Sequence, residues 1–345
     1  MRLPSEADLR LTGAAIAATQ APCGAIPWDV QGDTAGKVDP WDHVECAMAL
    51  VATGHLTEAA AAYDWLASTQ RDDGSWPAEW RLREGRPEVV DAGFDTNLTG
   101  YVAVGVWHHW RDRGDLEAVR RWWPMVAAAL DAVAAVQLPS GAIAWATGPY
   151  GPADRGLLAG SSCLRLALRC GVVLGEVVGD PRPRWREVAD RIETAVATAT
   201  SGDAEVSDAI FDPKHRYSMD WYYPVLGGAL RGPAAHARLD ARWSDFVVPG
   251  LGIRCVDDHP WVTGAETCEL ALSLAALGRR EEAARLVADM QHLRDADGAY
   301  WTGYVWPDDA RWPIERSTWT SAAVVLATRA LCPSPDSGGS SGRLE

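Results

Sequence analysis

A short turn recurs along this chain, and it dictates what the chain can fold into. Gln20 precedes Gly24 and Trp28, Gln70 precedes Gly74 and Trp76, Gln137 precedes Gly141 and Trp145, and Gln291 precedes Gly298 and Trp301. In each case a helical stretch ends, a glycine supplies the positive φ that closes it, and a tryptophan follows. Self-similarity of this kind marks repeated supersecondary units.

A second segment type follows the turns. It starts polar and continues as an apolar helix of small residues. Six such segments are marked by Asp42, Asp95, Ser161, Asp220, Glu266 and Thr318, at gaps of 53, 66, 59, 46 and 52 residues. Each gap holds two helices and two loops. Few charges along these six helices imply burial on most sides. Between them lie amphipathic helices with charged faces, clearest over residues 57–69, 116–136, 184–198 and 280–294, with 6–19 as the partner that closes a ring. Six buried helices alternating with six amphipathic ones predict an all-α fold, an (α/α)6 toroid with an inner ring inside an outer one. Little of the chain alternates as strand. One closed domain over residues 1–332 accounts for the 345 residues better than two or three domains. Residues 333–345 read as a flexible tail ending in a vector-derived remnant.

Composition narrows the function classes. The net charge is −15, from 32 basic and 47 acidic residues, with no basic stripe. That argues against nucleic acid and anionic membranes as partners. No apolar stretch approaches eighteen residues, and the first ten residues have no apolar core, so neither a membrane span nor a signal peptide is expected. Seven cysteines with no Cys-x-x-Cys pair read as reduced thiols of a cytoplasmic protein. There are 18 Trp, 8 Tyr and only 3 Phe. Indole joins a broad apolar face to an N–H donor, which suits a cleft part apolar and part wet.

In a toroid the polar starts of the inner helices converge on one end. That end would gather carboxylates and indoles, a lining for a neutral polyhydroxylated ligand. Carboxylates accept from sugar hydroxyls, and indole faces cover pyranose C–H faces. Glycoside hydrolysis also requires two carboxylates, whose separation sets the stereochemical outcome. Asp42 and Glu45 are i,i+3, as are Glu266 and Glu269, so each pair shares a helix face. A general acid needs a raised pKa, which burial beside apolar groups supplies. Glu266 follows Trp261, Val262, Gly264 and Ala265 with few cations near in sequence, and it is the expected acid. Asp42, at the head of the first inner helix, is the expected base or nucleophile.

The groups expected around the ligand are Trp28, Trp41, Glu45, Asp95, Asn97, Asp220, Trp221, Tyr222, Trp261, Glu269, Trp301, Trp306 and Trp319. Asp95 and Asp220 suit helix capping or substrate hydrogen bonding better than direct catalysis. Glu45 and Glu269 suit supporting or ion-paired positions, with Arg254, Arg316 and His43 available. The tryptophans divide between ligand-facing positions and loop anchors. Other chemistries lack their residues. The eight histidines show no ligand spacing with cysteine, neither phosphate-cradling glycine motif occurs, and Ser161-Ser162 lack a base and an elbow. No metal and no cofactor are expected, and the partner is an oligo- or polysaccharide.

The Gln-Gly-Trp turns resemble the repeats of the terpenoid-cyclase and protein-prenyltransferase toroids over about residues 14–330. That resemblance implies the ring and not the activity. The Asp-x-Asp-Asp acid of those cyclases is absent, with Val256-Asp257-Asp258-His259 the nearest fragment, and so is the prenyltransferase zinc set. Four segments carry a closer resemblance: Trp41-Asp42-His43-Val44-Glu45, Gly93-Phe94-Asp95-Thr96-Asn97, Tyr217-Ser218-Met219-Asp220-Trp221-Tyr222-Tyr223 and Thr263-Gly264-Ala265-Glu266-Thr267-Cys268-Glu269. They resemble the actinobacterial (α/α)6 glycoside hydrolases termed prenyltransferase-like, among them the mycobacterial hydrolases of methylmannose polysaccharide. The resemblance implies an endo-acting α-mannosidase that cuts α-1,4-linked 3-O-methylmannose chains.

Three readings therefore stand. A glycoside hydrolase predicts an open groove across one ring end. A terpenoid cyclase or prenyl-transfer relative acting on an isoprenoid predicts a deep, closed, apolar pit. A non-catalytic glycan-binding toroid predicts that replacing Asp42 or Glu266 weakens binding without abolishing any turnover.

Overall fold

The computed structural model describes residues 2–32, 34–148 and 151–333. The expected tail lies outside the described residues from 334 onward. Fifteen α-helices are described: α1 Glu6–Thr19, α2 Pro40–Thr53, α3 Leu56–Thr69, α4 Thr96–Gly100, α5 Val102–Arg113, α6 Leu116–Ala135, α7 Leu158–Val178, α8 Pro183–Ala199, α9 Ala204–Ile210, α10 Ser218–Leu226, α11 Gly232–Ala241, α12 Trp243–Phe246, α13 Gly264–Ala276, α14 Arg280–Asp289 and α15 Thr318–Leu331. Helices α2, α4–α5, α7, α10, α13 and α15 pack each on the next, and α15 packs back on α2. That is the closed inner ring. Helices α1, α3, α6, α8, α11 and α14 return the chain along the outside, so all six inner helices start at the same end. The (α/α)6 expectation is met.

Each Gln-Gly turn is built the same way. Gln20, Gln70 and Gln137 donate through Nε2 to the glycine carbonyl of their own turn, at 2.9 Å each. The same amide donates to a carbonyl of the next outer helix: Glu58, Met125 and Val188 respectively, at 2.9–3.0 Å. One side chain thereby closes the turn and pins it to its neighbour. The glycines lie against those helices too. A Cβ on Gly74, where φ is +85°, would stand 2.3 Å from the Ala128 carbonyl oxygen. In the fourth turn the sequence points to Gln291, but the equivalent position is Arg294. There the Asp295 N–H meets the Ala299 carbonyl, as Leu138 N–H meets Ala142. A one-turn 3-10 helix, Met290–Leu293, shifts the register by three residues.

The segments after the turns are fastened to the inner helices. The backbone N–H groups of Ile26, Ile143 and Tyr300 donate to His43 Nδ1, Ser161 Oγ and Ser321 Oγ at 3.1–3.2 Å. Each acceptor is the fourth residue of its inner helix, so its apolar first turn is locked under the loop that feeds it. Three small antiparallel sheets decorate this end, where little strand was expected. They are β1 Lys37–Val38, β2 Glu79–Arg83 and β3 Arg86–Asp91; β4 Phe94–Asp95, β5 Ala146–Gly148 and β6 Gly151–Pro152; and β7 Val247–Val248, β8 Gly252–Arg254, β9 Trp261–Thr263, β10 Gly303–Val305 and β11 Ala310–Arg311. Runs of two to six residues are too short for periodicity to reveal.

Much of the tryptophan is core. Trp76, Trp122, Trp185 and Trp221 are fully buried, and each indole N–H is bonded: to the Leu66 carbonyl, Asp64, Asp131 and the Arg238 carbonyl at 2.8–2.9 Å. The indole N–H groups thus tie these core rings to neighbouring carbonyls and carboxylates, which Phe could not do. The ring is sealed where its ends meet. Thr318 Oγ1 donates to the Pro27 carbonyl at 2.8 Å, Glu315 accepts from Thr34 and Thr302 at 2.6 and 3.1 Å, and Arg329 forks onto Glu6 at 2.7 and 2.8 Å. Helix α7 is long and apolar enough to cross a membrane by length and composition, contrary to the sequence expectation, but it is an inner helix, mostly buried in the ring.

Candidate active site

A cleft of about 330 Å³ lies at the inner-helix N-termini, lined from α2, α4, α10 and α15 and from the loops beside them. Of the expected residues, Asp42, Trp41, Asn97 and Trp319 line it; Lys37, Asp39, Glu79, Asp91, Leu98 and Met219 line it as well. Trp28 leans on Trp319 with ring centroids 5.6 Å apart, and the Lys37 ammonium sits 4.7 Å over the Trp28 ring. The indole N–H groups of Trp28, Trp41 and Trp319 and the Asn97 carbonyl oxygen have no hydrogen-bond partner among the described residues.

Asp42 is the third residue of α2 and is buried. Asp39 caps the helix, its Oδ1 accepting the Asp42 N–H at 2.9 Å, and Lys37 Nζ stands 3.5 Å from Asp39. Burial, and then the Asp39 carboxylate, push the Asp42 carboxyl well above the usual range, and Lys37 opposes them. Glu266 is likewise the third residue of its helix, α13, and is buried. Burial raises it to about 7 even though the Cys255 thiol donates to it. The Thr263 hydroxyl also donates to it. A carboxyl half-protonated near neutrality is the state a general acid requires.

The remaining candidates divide by depth. Asp95 caps α4, accepting from the Asn97 and Leu98 N–H groups at 2.8 and 3.0 Å, and burial raises it to about 6. Asp220 accepts from the Ala159 N–H at 3.4 Å, and burial raises it to about 6. Glu45 and Glu269 lie one helical turn deeper than Asp42 and Glu266. They take hydrogen bonds from tyrosines and not from Arg254, Arg316 or His43. Tyr101 donates to Glu45, and Tyr222 and Tyr223 donate to Glu269, the latter at 2.7 Å. Tyr101 stacks under Trp41 at 4.0 Å, with Tyr223 5.8 Å from the same indole. This aromatic–carboxyl layer plugs the ring below the cleft, so Tyr222, Glu45 and Glu269 are the floor's support and not its lining.

Trp221 packs on Phe246 at 5.1 Å in the core. Trp261 donates to the Trp312 carbonyl at 2.8 Å, and Trp301 and Trp306 lie under Arg311 and Arg254. None of these four lines the cleft, and neither do Glu266, Asp95, Asp220 and Trp28. Asp39 and Lys37 escaped the sequence reading because an Asp-Pro pair before a helix reads as a cap and nothing more. The signal was present, since a carboxylate three residues before Asp42 must lie beside it.

No family model matches the chain. It is 52% identical over 322 residues to the MMP endo-(1,4)-3-O-methyl-alpha-D-mannosidase of Mycolicibacterium hassiacum, covering 93% of this chain and 85% of that protein. Among solved structures, a glycosidase in complex with glucose superposes with a TM-score of 0.74 at 17% identity, over 96% of this chain and 99% of that one. The GH63 mannosylglycerate hydrolase of Thermus thermophilus in complex with glucose gives 0.67 at 15% identity, over 93% and 99%. At such identities the structures speak for the ring alone. The sequence relationship, across nearly the whole chain, is of a different order: the chain belongs to the family of the MMP endo-(1,4)-3-O-methyl-α-D-mannosidases, and it is a glycoside hydrolase.

Proposed function

We propose that this enzyme cuts internal α-1,4 linkages of a 3-O-methylmannose polysaccharide, with Glu266 as general acid and Asp42 as base or nucleophile. The observation that carries the reading is the cleft itself: an open, indole-walled site on the Asp42 side of the ring. In the reaction Glu266 gives its proton to the glycosidic oxygen as the C1–O bond breaks. Asp42 either takes a proton from the water that attacks C1 or attacks C1 itself, water then releasing the sugar. No cofactor takes part. The half-wet, half-apolar lining favours this reading over a closed isoprenoid pit.

The methyl groups have a physical counterpart. Eight large apolar side chains stand exposed among the described residues, and all but Leu11 lie in segments that feed an inner helix: Val30, Val89, Val90, Trp145, Tyr217, Trp312 and Ile314. An apolar rim at the cleft end suits a glycan whose hydroxyls are partly capped by methyl. The seven free cysteines support a cytoplasmic setting.

The test is incubation with methylmannose polysaccharide and with unmethylated α-1,4-mannooligosaccharides, the products sized by mass spectrometry. The wild type should release short oligomers of defined length. Glu266→Gln and Asp42→Asn should lower turnover by about 10²-fold or more, as loss of an acid or base does. Intact polysaccharide with the wild type would overturn the substrate assignment, and full activity in either variant would overturn that residue's role.

A further inference from the structure

We propose that the opposite end of the ring holds a second ligand site, for a small amphipathic anion with one acidic head on an apolar body. A cavity of about 670 Å³ opens among the C-terminal ends of the inner helices. That volume lies within the range of small-molecule pockets, and so does a mostly apolar lining with a few polar groups. The Trp41–Tyr101 stack and the layer of Glu45 and Glu269 divide it from the cleft, so the inference does not depend on the reaction assigned to the other end.

The walls and the mouth differ in character. Met48, Val104, Leu166, Leu226, Leu272 and Leu326 make the walls. The polar groups of the floor are committed to one another, Glu45 with Tyr101 and Glu269 with Tyr222 and Tyr223. Burial raises both carboxyls, Glu45 to about 7 and Glu269 well above the usual range, which favours their neutral forms. The deep end therefore suits an apolar group.

The mouth carries four guanidiniums, Arg10, Arg111, Arg113 and Arg329, against the carboxylates of Glu6 and Asp112. Arg329 is held by Glu6 and by the Ala52 carbonyl, and Arg111 by Asp112 at 2.7 Å. Arg10 and Arg113 have no ion-pair partner among the described residues. The carbonyl ends of the inner helices account for cations at helix C-termini, such as Arg113. Arg10, one turn after Glu6 on α1, acts on that carboxylate, but Arg329 already forks onto it, so the mouth holds four guanidiniums against two carboxylates. In a chain of net charge −15, an excess of guanidiniums over carboxylates at the rim of an apolar cavity marks a place for an anion.

The full-length protein is titrated with 1-anilinonaphthalene-8-sulfonate, followed by fluorescence, and with decanoate by calorimetry and by displacement of the dye. Saturable 1:1 binding of both is expected, with decanoate displacing the dye. The Arg10→Glu/Arg113→Glu double variant, altered only at exposed positions, should bind about tenfold or more weakly, as loss of charge-assisted contacts implies. Leu272→Trp, which fills the cavity from its wall, should abolish binding, and Asp42→Asn, at the other end, should leave it unchanged. Absence of saturable binding would overturn the proposal. So would binding that survives both the Arg10/Arg113 and the Leu272 changes, or decanol binding as tightly as decanoate.

Discussion

Asp39 shows how much a single residue can decide. It caps α2 through the Asp42 N–H and sits between that carboxyl and the Lys37 ammonium. Its negative charge disfavours the ionised form of Asp42, so removing the charge should let Asp42 ionise at lower pH. If Asp42 is the base, Asp39→Asn should extend activity to lower pH, moving the acidic limb of the pH–rate profile down by about one unit. The alkaline limb, set by Glu266 at about 7, should stay. A shift of the alkaline limb instead would exchange the two roles. At this scale the sequence was readable in type more than in depth. Asp42 and Glu266 lie where the helix-start pattern puts them. Their i,i+3 companions Glu45 and Glu269 share the face but lie about 4.5 Å further along the axis, within the aromatic–carboxyl plug. A spacing rule gives the face, and only the packed ring gives the depth.

At the scale of elements, the Gln-Gly turn is the unit that builds the ring. Gln137 makes two bonds, to Gly141 and to Val188 on α8, at 2.9 and 3.0 Å. Gln137→Ala leaves two backbone carbonyls without that donor and should cost about 1–3 kcal/mol in urea unfolding. Gly141→Ala should cost more than the lost glycine entropy returns, since φ is +92° and the new Cβ would lie 2.6 Å from the Arg191 carbonyl oxygen. Equal stability of Gln137→Ala and wild type would show the amide to be dispensable. The longer helices were legible from their periodic faces: the predicted 6–19 and 116–136 match α1 and α6 to within a residue, whereas the short α9 and α12 have no such face. The sheets were not legible, because their strands are short hairpins whose pairing depends on where the loops are held. The Gln291 register was missed for a related reason, as a 3-10 turn does not announce itself in the pattern.

For the whole molecule, the ring sorts its surface by end. All the exposed apolar side chains but Leu11 lie in segments at the cleft end, and the guanidiniums named above lie around the cavity opposite. Each methyl group buried from water contributes about 0.8 kcal/mol, or roughly fourfold in affinity. Val90→Asp and Ile314→Asp should therefore raise KM for the methylated glycan several-fold, with a smaller change for an unmethylated one. Equal effects on both substrates would remove the rim from methyl recognition. The closed ring itself could be read from six repeated helix starts. The second cavity could not, since its lining comes from residues as far apart as Glu6 and Arg329 that no local pattern relates.

The seam between Thr318 and the Pro27 carbonyl has a consequence during synthesis. Asp42 leaves the ribosome among the first residues of the ring, while Trp319, which lines the cleft with it, leaves among the last. Until α15 docks beside α2, the nascent chain has half a cleft and an open inner wall. The wall of the cleft is therefore completed only when the ring shuts.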